Sequence, residues 1–251
     1  MNLSNPFSKG NTAEIYIVDA KIVKLFKEYL PRTESLYEAK KQHFAYSNGL
    51  DVPKIHDITE VNGRQAIVME YIEGQPIGEL LLNDPQLVEH YFTICVNAQI
   101  NMHNTIVESG SLELMTQKLK RQINLVEILS EQQKHVLLKR LNTITFEPRL
   151  CHGDFHPFNL LLNKDKVTII DWVDASAGDI RADVYRSYLL ISQLSLDFAE
   201  LYLNIYCQIA KLSREEVLQW APIIAGARLA ENVPSENKDL LLEIVNKSIN
   251  E

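Results

Sequence analysis

Residues 152–159 read HGDFHPFN, and residues 169–172 read IIDW at the end of an apolar strand pattern. Phosphoryl transfer from ATP needs a carboxylate that orients the attacking hydroxyl or accepts its proton, and Asp154 suits this role. It also needs oxygen ligands for Mg²⁺, which Asn159 and Asp171 offer. The alternative interpretation is a turn between two core strands with incidental polar residues.

Two upstream residues favour the chemical interpretation. Lys24 lies in a strand pattern, where a lysine that pairs with phosphates is expected. Glu38 lies in the next predicted helix and is a candidate to fix that lysine, with Glu34, one helical turn away, as the second choice. The step of five residues from Asp154 to Asn159 also matches the kinase catalytic loop H-R-D-x-x-x-x-N, with Gly153 in place of arginine.

The first third of the chain has the pattern of a mostly antiparallel sheet with one helix, in the order β-β-α-β-β. Strands are predicted over 13–18, 21–26, 55–58 and 65–69, with a short turn at Asp19-Ala20 and a two-residue hairpin signal at Asn62-Gly63. The helix is predicted from its N-cap, Thr33, to Ser47. The pattern changes near residue 72, which we interpret as the boundary between two lobes, 1–72 and 73–251.

The second lobe is predicted to be mainly helical. Asp84-Pro85 marks the start of a helix with an apolar stripe that extends to Met102. Further helices are predicted over roughly 112–128, 131–142, 181–193, 196–210, 213–221 and 236–248. A strand-loop-strand block at 149–171 interrupts them. The predicted fold class is therefore α+β, with a small antiparallel sheet lobe and a larger helical lobe.

Composition excludes several classes of protein. The 251 residues are 46% hydrophobic and 23% charged, which excludes a disordered, collagen-like or coiled-coil protein. The net charge of −8 argues against a nucleic-acid binder. Three widely spaced cysteines indicate neither a disulfide framework nor a zinc site, and favour a cytoplasmic location. The first six residues lack a signal pattern and no run approaches a membrane span, so no membrane partner is expected.

These motifs together resemble the aminoglycoside phosphotransferase family, which also resembles choline kinases and, more remotely, protein kinases. The similarity covers residues 8–190 and includes residues 152–159, Ile170-Asp171-Trp172, and the later Gly178-Asp179 and Asp183. It implies a protein-kinase-like fold of two lobes, binding of ATP and Mg²⁺, and transfer of the γ-phosphoryl group to a hydroxyl of a small molecule. It is specific for the reaction and weak for the substrate.

The resemblance also implies residue roles. Asp154 is the expected catalytic base, Asn159 and Asp171 the expected magnesium ligands, and Lys24 the contact to the α- and β-phosphates, held by Glu38. Backbone groups of Glu70 and Ile72 are expected to bind adenine, with Met69 lining the pocket. Gly10 stands in a loop that has one glycine where protein kinases have three, so its role in cradling ATP is a weaker expectation.

The acceptor is expected to be a small molecule, because no A-P-E sequence and no long activation segment follow Asp171. Residues 171–251 hold seven basic and thirteen acidic residues, a net charge of −6. Solvated helix faces or an acidic pocket for a cationic acceptor explain this charge. The pocket candidates are Asp174, Glu200, Glu231 and Glu236.

The first expectation is an aminoglycoside phosphotransferase, which would imply a role in antibiotic resistance, acting as a monomer or homodimer. A housekeeping kinase for choline, thiamine, a sugar or an amino alcohol is the alternative. Its choline form would need aromatic side chains over the ammonium, for which Trp172, Trp220, Tyr185 and Tyr188 are available. A third alternative is an ATP-binding regulatory pseudokinase, against which the complete set of Lys24, Asp154, Asn159 and Asp171 argues.

Overall fold

The structure is a computed structural model that describes residue 3, residues 5–233 and residues 236–247. The chain forms two compact units, each built from two chain segments. The first comprises Met1–Tyr91 and Pro157–Ala175, and the second comprises Phe92–His156 and Ser176–Glu251. The lobe boundary at residue 72 stays a prediction. Residues 1, 2 and 4 of the amino-terminal segment judged to lack a signal, and residue 248 at the end of the last predicted helix, lie outside the described residues.

Strands and α-helices are numbered in chain order. The strands are β1 Ser8–Lys9, β2 Ala13–Val18, β3 Lys21–Phe26, β4 Ile55–Val61, β5 Arg64–Glu70, β6 Gln75–Pro76, β7 Arg149–Cys151, β8 Leu160–Asn163, β9 Lys166–Ile169 and β10 Ser176–Gly178. The helices are α1 Glu34–Ser47, α2 Ile77–Asn83, α3 Val88–His103, α4 Met115–Leu125, α5 Glu131–Thr143, α6 Ile180–Ser192, α7 Leu196–Ala210, α8 Arg214–Leu218, α9 Ala221–Arg228 and α10 Lys238–Lys247. Among the residues described, no helix is long and apolar enough to cross a membrane.

The main element of the first unit is an antiparallel sheet in the order β1-β2-β3-β5-β4. Successive side chains of a strand point to opposite faces, so β3 contributes to two apolar clusters. Val23 and Leu25 pack in one cluster, and Phe26 packs in the other with Ala39 of α1. Lys24 shares the face of Phe26, which turns it toward α1. The predicted β-β-α-β-β order is confirmed, and the short strand β1 precedes it.

Both predicted hairpin turns are present. Asn62 and Gly63 have φ values of 52° and 78°, and Asp19 and Ala20 have 48° and 56°. Two consecutive positive φ values are typical of the type I′ turn, whose twist matches that of the flanking strands. Asn-Gly is the sequence that favours this turn, whereas Asp19-Ala20 adopts it without a glycine.

Helix α1 begins and ends where the sequence predicts. Thr33 occupies the N-cap position, but its side chain makes no capping hydrogen bond. The expected contribution of a threonine cap, about 1 kcal/mol, is therefore missing here. At the other end Asn48 is the C-cap and Gly49 follows with a φ of 80°, the left-handed conformation that commonly ends helices.

The first unit also contains a small sheet in the order β6-β8-β9, preceded in its second chain segment by a 3-10 turn, Pro157–Asn159. Helix α2 packs closely against this turn. A Cβ atom on Gly78 would lie 2.6 Å from ring atoms of Phe158, so only glycine allows this approach. The packing fixes the turn that carries Asn159.

The second unit is mainly helical, with β7 and β10 paired as a short antiparallel ribbon. The prediction of one helix over 213–221 was wrong, because the chain forms α8, turns at Trp220, and starts α9 at Ala221. All residues from Pro222 to Arg228 are buried. A helix buried all round has no apolar stripe, so periodicity gives no sign of it. The predicted helices at 131–142, 181–193 and 196–210 match α5, α6 and α7 within one residue.

Candidate active site

Lys24 is the centre of a buried charge cluster in the first unit. Its Nζ atom lies 2.6 Å from Oε1 of Glu38 on α1 and 2.8 Å from Oδ1 of Asp171, which follows β9. The side chains of Lys24 and Glu38 are buried, whereas that of Asp171 is 39% exposed. The structure thus brings together three of the predicted site residues, and Glu38 rather than Glu34 holds the lysine.

The charges of this cluster keep the lysine protonated. Burial acts to lower the pKa of Lys24, but the negative charges of Glu38 and Asp171 outweigh it, so the pKa lies above its usual value. Burial raises the pKa of Glu38, and the charge of Lys24 opposes that rise. One ammonium group therefore faces two carboxylates, of which only Asp171 is accessible.

Asp171 has a strained backbone and is held on both sides. Its φ is 64°, a left-handed value that costs a non-glycine residue about 1–3 kcal/mol and is typical of functional sites. Just after it, the indole Nε1 of Trp172 donates to the carbonyl of Ile169 at 3.1 Å, and Nζ of Lys41 donates to the carbonyl of Val173. Lys41 lies three residues after Glu38, so the helix that holds Lys24 also contacts the segment after Asp171.

Asn159 and Asp171 lie at the same end of the β8–β9 hairpin. Leu160 pairs with Ile169 across the hairpin, and the N–H of Ile170 donates to the carbonyl of Asn159 at 3.0 Å. The buried amide and the accessible carboxylate are both oxygen donors of the kind that Mg²⁺ prefers. Their role as metal ligands stays a prediction, and their placement suits it.

The predicted adenine-binding residues lie at the end of β5. Met69 is buried in the cluster beneath α1, and the N–H of Glu70 donates to the carbonyl of Lys54 at 2.9 Å. Residues 71–74, which include Ile72, belong to no helix or strand, so their backbone groups lie outside the sheet. Gly10 forms the tight turn between β1 and β2, where its N–H donates to the carbonyl of Ala13 at 2.8 Å. These nucleotide contacts stay predictions.

Asp154 lies in the second unit, three residues after β7. The preceding Gly153 has a φ of 79°, which favours glycine at this position. Its N–H donates to Oδ1 of Asp183 at 2.7 Å and its carbonyl accepts from Nε of Arg186 at 3.0 Å. Asp183 and Arg186 are one turn apart on α6, so one helix holds both sides of this glycine.

The environment of Asp154 keeps its carboxylate ionised. Burial acts to raise the pKa of Asp154, but His156, Arg186 and His152 outweigh it, and the pKa lies well below its usual value. Nε2 of His156 lies 3.6 Å from Oδ2 of Asp154. A carboxylate with a low pKa is a weak base, which suits the predicted phosphoryl transfer, in which positioning does most of the work and the proton moves late.

Asp183 is buried, and both of its carboxylate oxygens have hydrogen-bond partners. Its Oδ2 atom accepts from Gln99 at 3.2 Å and lies 2.9 Å from Nε2 of His103, whose other ring nitrogen lies 2.6 Å from the hydroxyl of Tyr206. Asp179 caps α6 by accepting from the N–H of Arg181. Asp183 therefore bonds the backbone of Gly153, and Asp179 caps a helix.

Three of the four acidic candidates for a cationic pocket are paired with arginine. Glu200 pairs with Arg214 at 2.7 Å, Glu231 with Arg186 at 2.9 Å and also with Arg228, and Glu236 with Arg228 at 2.6 Å. The aromatic candidates are also committed elsewhere, since Trp172, Trp220 and Tyr185 are buried core residues and Tyr188 bonds Glu200. Glu200, Glu231 and Glu236 are therefore already paired with cations of the same chain.

Sequence reasoning missed Lys41 and Arg186. Lys41 follows Glu38 by three residues on the same helix face, and Arg186 follows Asp183 in the same way. That spacing is a signal that was available. Their partners, the carbonyls of Val173 and Gly153, are backbone atoms and leave no mark in the sequence.

Comparison with known proteins gives the family. A model described as the phosphotransferase enzyme family matches residues 5–218. The chain belongs to this family. The Protein LicA homolog of Mycoplasma capricolum subsp. capricolum is 23% identical over 203 residues, which are 79% of this chain and 77% of that protein.

Solved structures of other phosphotransferases share the fold. A thermostable variant of aminoglycoside phosphotransferase APH(4)-Ia, in complex with ADP and hygromycin B, has a TM-score of 0.71 at 12% identity, covering 99% of this chain and 93% of that one. Choline kinase LicA from Streptococcus pneumoniae has a TM-score of 0.66 at 18% identity, covering 100% and 94%. The predicted protein-kinase-like α+β fold is confirmed.

Proposed function

We propose that this chain is an ATP-dependent kinase that transfers the γ-phosphoryl group to a hydroxyl of a small molecule. The observation that carries the proposal is the buried cluster in which Lys24 lies 2.6 Å from Glu38 and 2.8 Å from Asp171. A lysine held by a helix glutamate, together with an aspartate for the metal, is the arrangement that phosphoryl transfer needs. The loop that carries Asp154 is held at Gly153 by Asp183 and Arg186, and it would supply a carboxylate for the acceptor.

The donor set fits Mg²⁺ and ATP. Asn159 and Asp171 would hold the metal through oxygen atoms, and Lys24 would bind the α- and β-phosphates. When bound, Mg²⁺ neutralises the charge of the phosphate oxygens. Asp171 suits the metal because its carboxylate is accessible while its backbone is held by α1 and Trp172.

Asp154 would orient the acceptor hydroxyl and take its proton. Because its pKa is low, the side chain is an ionised hydrogen-bond acceptor at neutral pH and a weak base. The acceptor oxygen forms a bond to the γ-phosphorus, the bond between that phosphorus and the β–γ bridging oxygen breaks, and ADP leaves. The hydroxyl proton passes to Asp154.

The acceptor is a small molecule in this proposal, since only residues 172–179 separate Asp171 from α6. An amino alcohol with one positive charge is the first candidate, because it needs fewer unpaired carboxylates than a polycation does. A polycationic aminoglycoside needs several unpaired carboxylates to offset its ammonium groups, and Glu200, Glu231 and Glu236 are paired with arginines. An aminoglycoside acceptor, and with it a role in antibiotic resistance, stays the second candidate.

A cytoplasmic location is part of the proposal. Cys95, Cys151 and Cys207 are free thiols, and burial raises the pKa of each, which disfavours the reactive thiolate. The oligomeric state, monomer or homodimer, stays a prediction.

A panel of acceptors tests the proposed function. ADP release with Mg²⁺ and ATP is measured against choline, ethanolamine, thiamine, sugars and several aminoglycosides, with an acceptor-free reaction as the control. We expect stimulation by an amino alcohol. Stimulation of ADP release by aminoglycosides alone would identify an aminoglycoside as the acceptor. ATP binding without stimulation by any acceptor would favour the pseudokinase.

A further inference from the structure

The peptide unit that leads into Asp154 is held from both sides. Its carbonyl, that of Gly153, accepts from Nε of Arg186 at 3.0 Å. Its N–H, that of Asp154, donates to Nδ1 of His152 at 3.3 Å. Because the peptide unit is planar, these two contacts fix the direction in which the chain enters Asp154.

Arg186 is itself held by a carboxylate. Its Nη2 atom lies 2.9 Å from Oε2 of Glu231, and the arginine side chain is 8% exposed. A guanidinium stays charged in a protein, and a buried one needs an acceptor in the plane of its fork. Glu231 meets this need while Nε remains directed at Gly153.

The network continues into the carboxyl-terminal part of the chain. Arg228, 7% exposed, pairs with both Glu231 and Glu236. Residues 228, 231 and 236 lie beyond residue 218, where the match to the phosphotransferase family ends. Two arginines and two glutamates thus connect the loop that carries Asp154 to a segment outside the matched residues.

We propose that Arg186 is a positioning residue for phosphoryl transfer and that Glu231 acts on the catalytic loop through Arg186. The inference rests on the proposed function only in taking Asp154 as the residue that engages the acceptor. Arg186 fixes the peptide before Asp154, and Glu231, itself held by Arg228, fixes the plane of the Arg186 guanidinium. The segment after residue 218 therefore sets the efficiency of transfer without contacting the acceptor.

The kinetic test compares Arg186→Met, Glu231→Met and their double variant in the full-length protein. We expect Arg186→Met to lower kcat by roughly 10- to 100-fold with KM for ATP within about twofold, because a misplaced catalytic group costs turnover rather than nucleotide binding. Glu231→Met lowers kcat less. Adding it to Arg186→Met has no further effect, because Glu231 acts only through Arg186. Arg186→Lys restores part of kcat.

Arg214→Met is the matched control, because it breaks another Arg–Glu pair of the same unit, with Glu200. It leaves kcat unchanged. The proposal is overturned if Arg186→Met behaves like this control, if the losses of the two network variants simply add, or if KM for ATP rises as much as kcat falls.

A second measurement does not depend on turnover. Hydrogen exchange at the Asp154 amide is followed in the wild type, Arg186→Met, Glu231→Met and Arg214→Met. Exchange that is faster than in the wild type in Arg186→Met and Glu231→Met, but not in Arg214→Met, supports the positioning role. This holds even if no acceptor is phosphorylated and the proposed function fails. Equal rates in all four proteins overturn it, even if the wild type is an active kinase.

Discussion

The ammonium group of Lys24 lies 2.8 Å from a carboxylate oxygen of Asp171, although the two residues are 147 positions apart in the chain. Strand β3 directs the lysine toward α1, and the end of β9 directs the aspartate to the same point. The predicted phosphate-binding cation and the predicted metal ligand therefore meet, although they come from distant parts of the chain.

Replacing Lys24 by methionine is expected to lower both stability and ATP affinity. Glu38 would be left buried without its cation, which costs about 3–5 kcal/mol of unfolding free energy. ATP affinity falls at least about tenfold, because a hydrogen bond to a charged group contributes about 1.5–3 kcal/mol. Urea unfolding and calorimetric titration with Mg²⁺ and ATP measure the two effects.

The double variant Lys24→Met, Glu38→Met separates the two effects. Removing both charges is expected to restore most of the stability, since apolar side chains of similar volume replace a buried ion pair at little cost. ATP affinity stays low in the double variant. Wild-type ATP affinity in this stable protein would show that Lys24 does not bind the phosphates.

Replacing Gly153 by alanine is expected to reduce turnover. The left-handed φ of 79° costs an alanine about 1–2 kcal/mol, and relief of that strain moves the peptide before Asp154. Gly63→Ala is the matched control, because it has a φ of 78° and its Cβ would meet nothing within 4 Å. Both variants lose similar stability in urea, whereas only Gly153→Ala loses kcat; equal kcat in the two would contradict the importance of the loop conformation.

Asp183 is expected to make stability sensitive to acid. Burial acts to raise the pKa of Asp183, but His103 and the N–H of Gly153 outweigh it and lower the pKa. A lowered folded pKa gives stability that is present above the unfolded value of about 3.9 and is lost as pH falls through the folded value. Unfolding free energy therefore drops more steeply below pH about 4 in the wild type than in Asp183→Asn.

Urea unfolding at pH 7, 4 and 3 measures this difference. At pH 7 we expect Asp183→Asn to cost about 1–3 kcal/mol, because buried donors lose their acceptor. Replacement of the exposed Asp239 by asparagine is the control for loss of one carboxylate. A parallel pH dependence of wild type and Asp183→Asn would rule out the linkage.

Much of the fold was predictable from local signals. Alternating strands around Asn62-Gly63, a helix bounded by Thr33 and Asn48, and the 3.6-residue stripe of α3 each follow from short-range preferences. Helix α9 was not predictable in this way, because residues 222–228 are all buried and leave no polar face. Only tertiary packing defines it.

The site was predictable where side chains meet side chains. Lys24 and Glu38 were paired from their positions on a strand and the next helix, and the structure places them 2.6 Å apart. Arg186 and Lys41 were missed because their contacts with the site residues are to the backbone carbonyls of Gly153 and Val173, which leave no mark in the sequence. The acidic excess after residue 170 was visible as a count, but the pairing of Glu200, Glu231 and Glu236 with arginines depends on the fold.

A comparison of the wild type with Asp154→Asn tests directly whether this site carries out phosphoryl transfer. Both proteins are incubated with Mg²⁺, ATP and the acceptor that most stimulates ADP release, and the phosphate ester is followed by ³¹P NMR, with ATP binding measured in parallel by calorimetry. We predict that the wild type converts the acceptor to its phosphate monoester, whereas Asp154→Asn binds ATP and forms no ester above the enzyme-free reaction. Ester formation by Asp154→Asn at a rate near that of the wild type would contradict the assignment of phosphoryl transfer to this site.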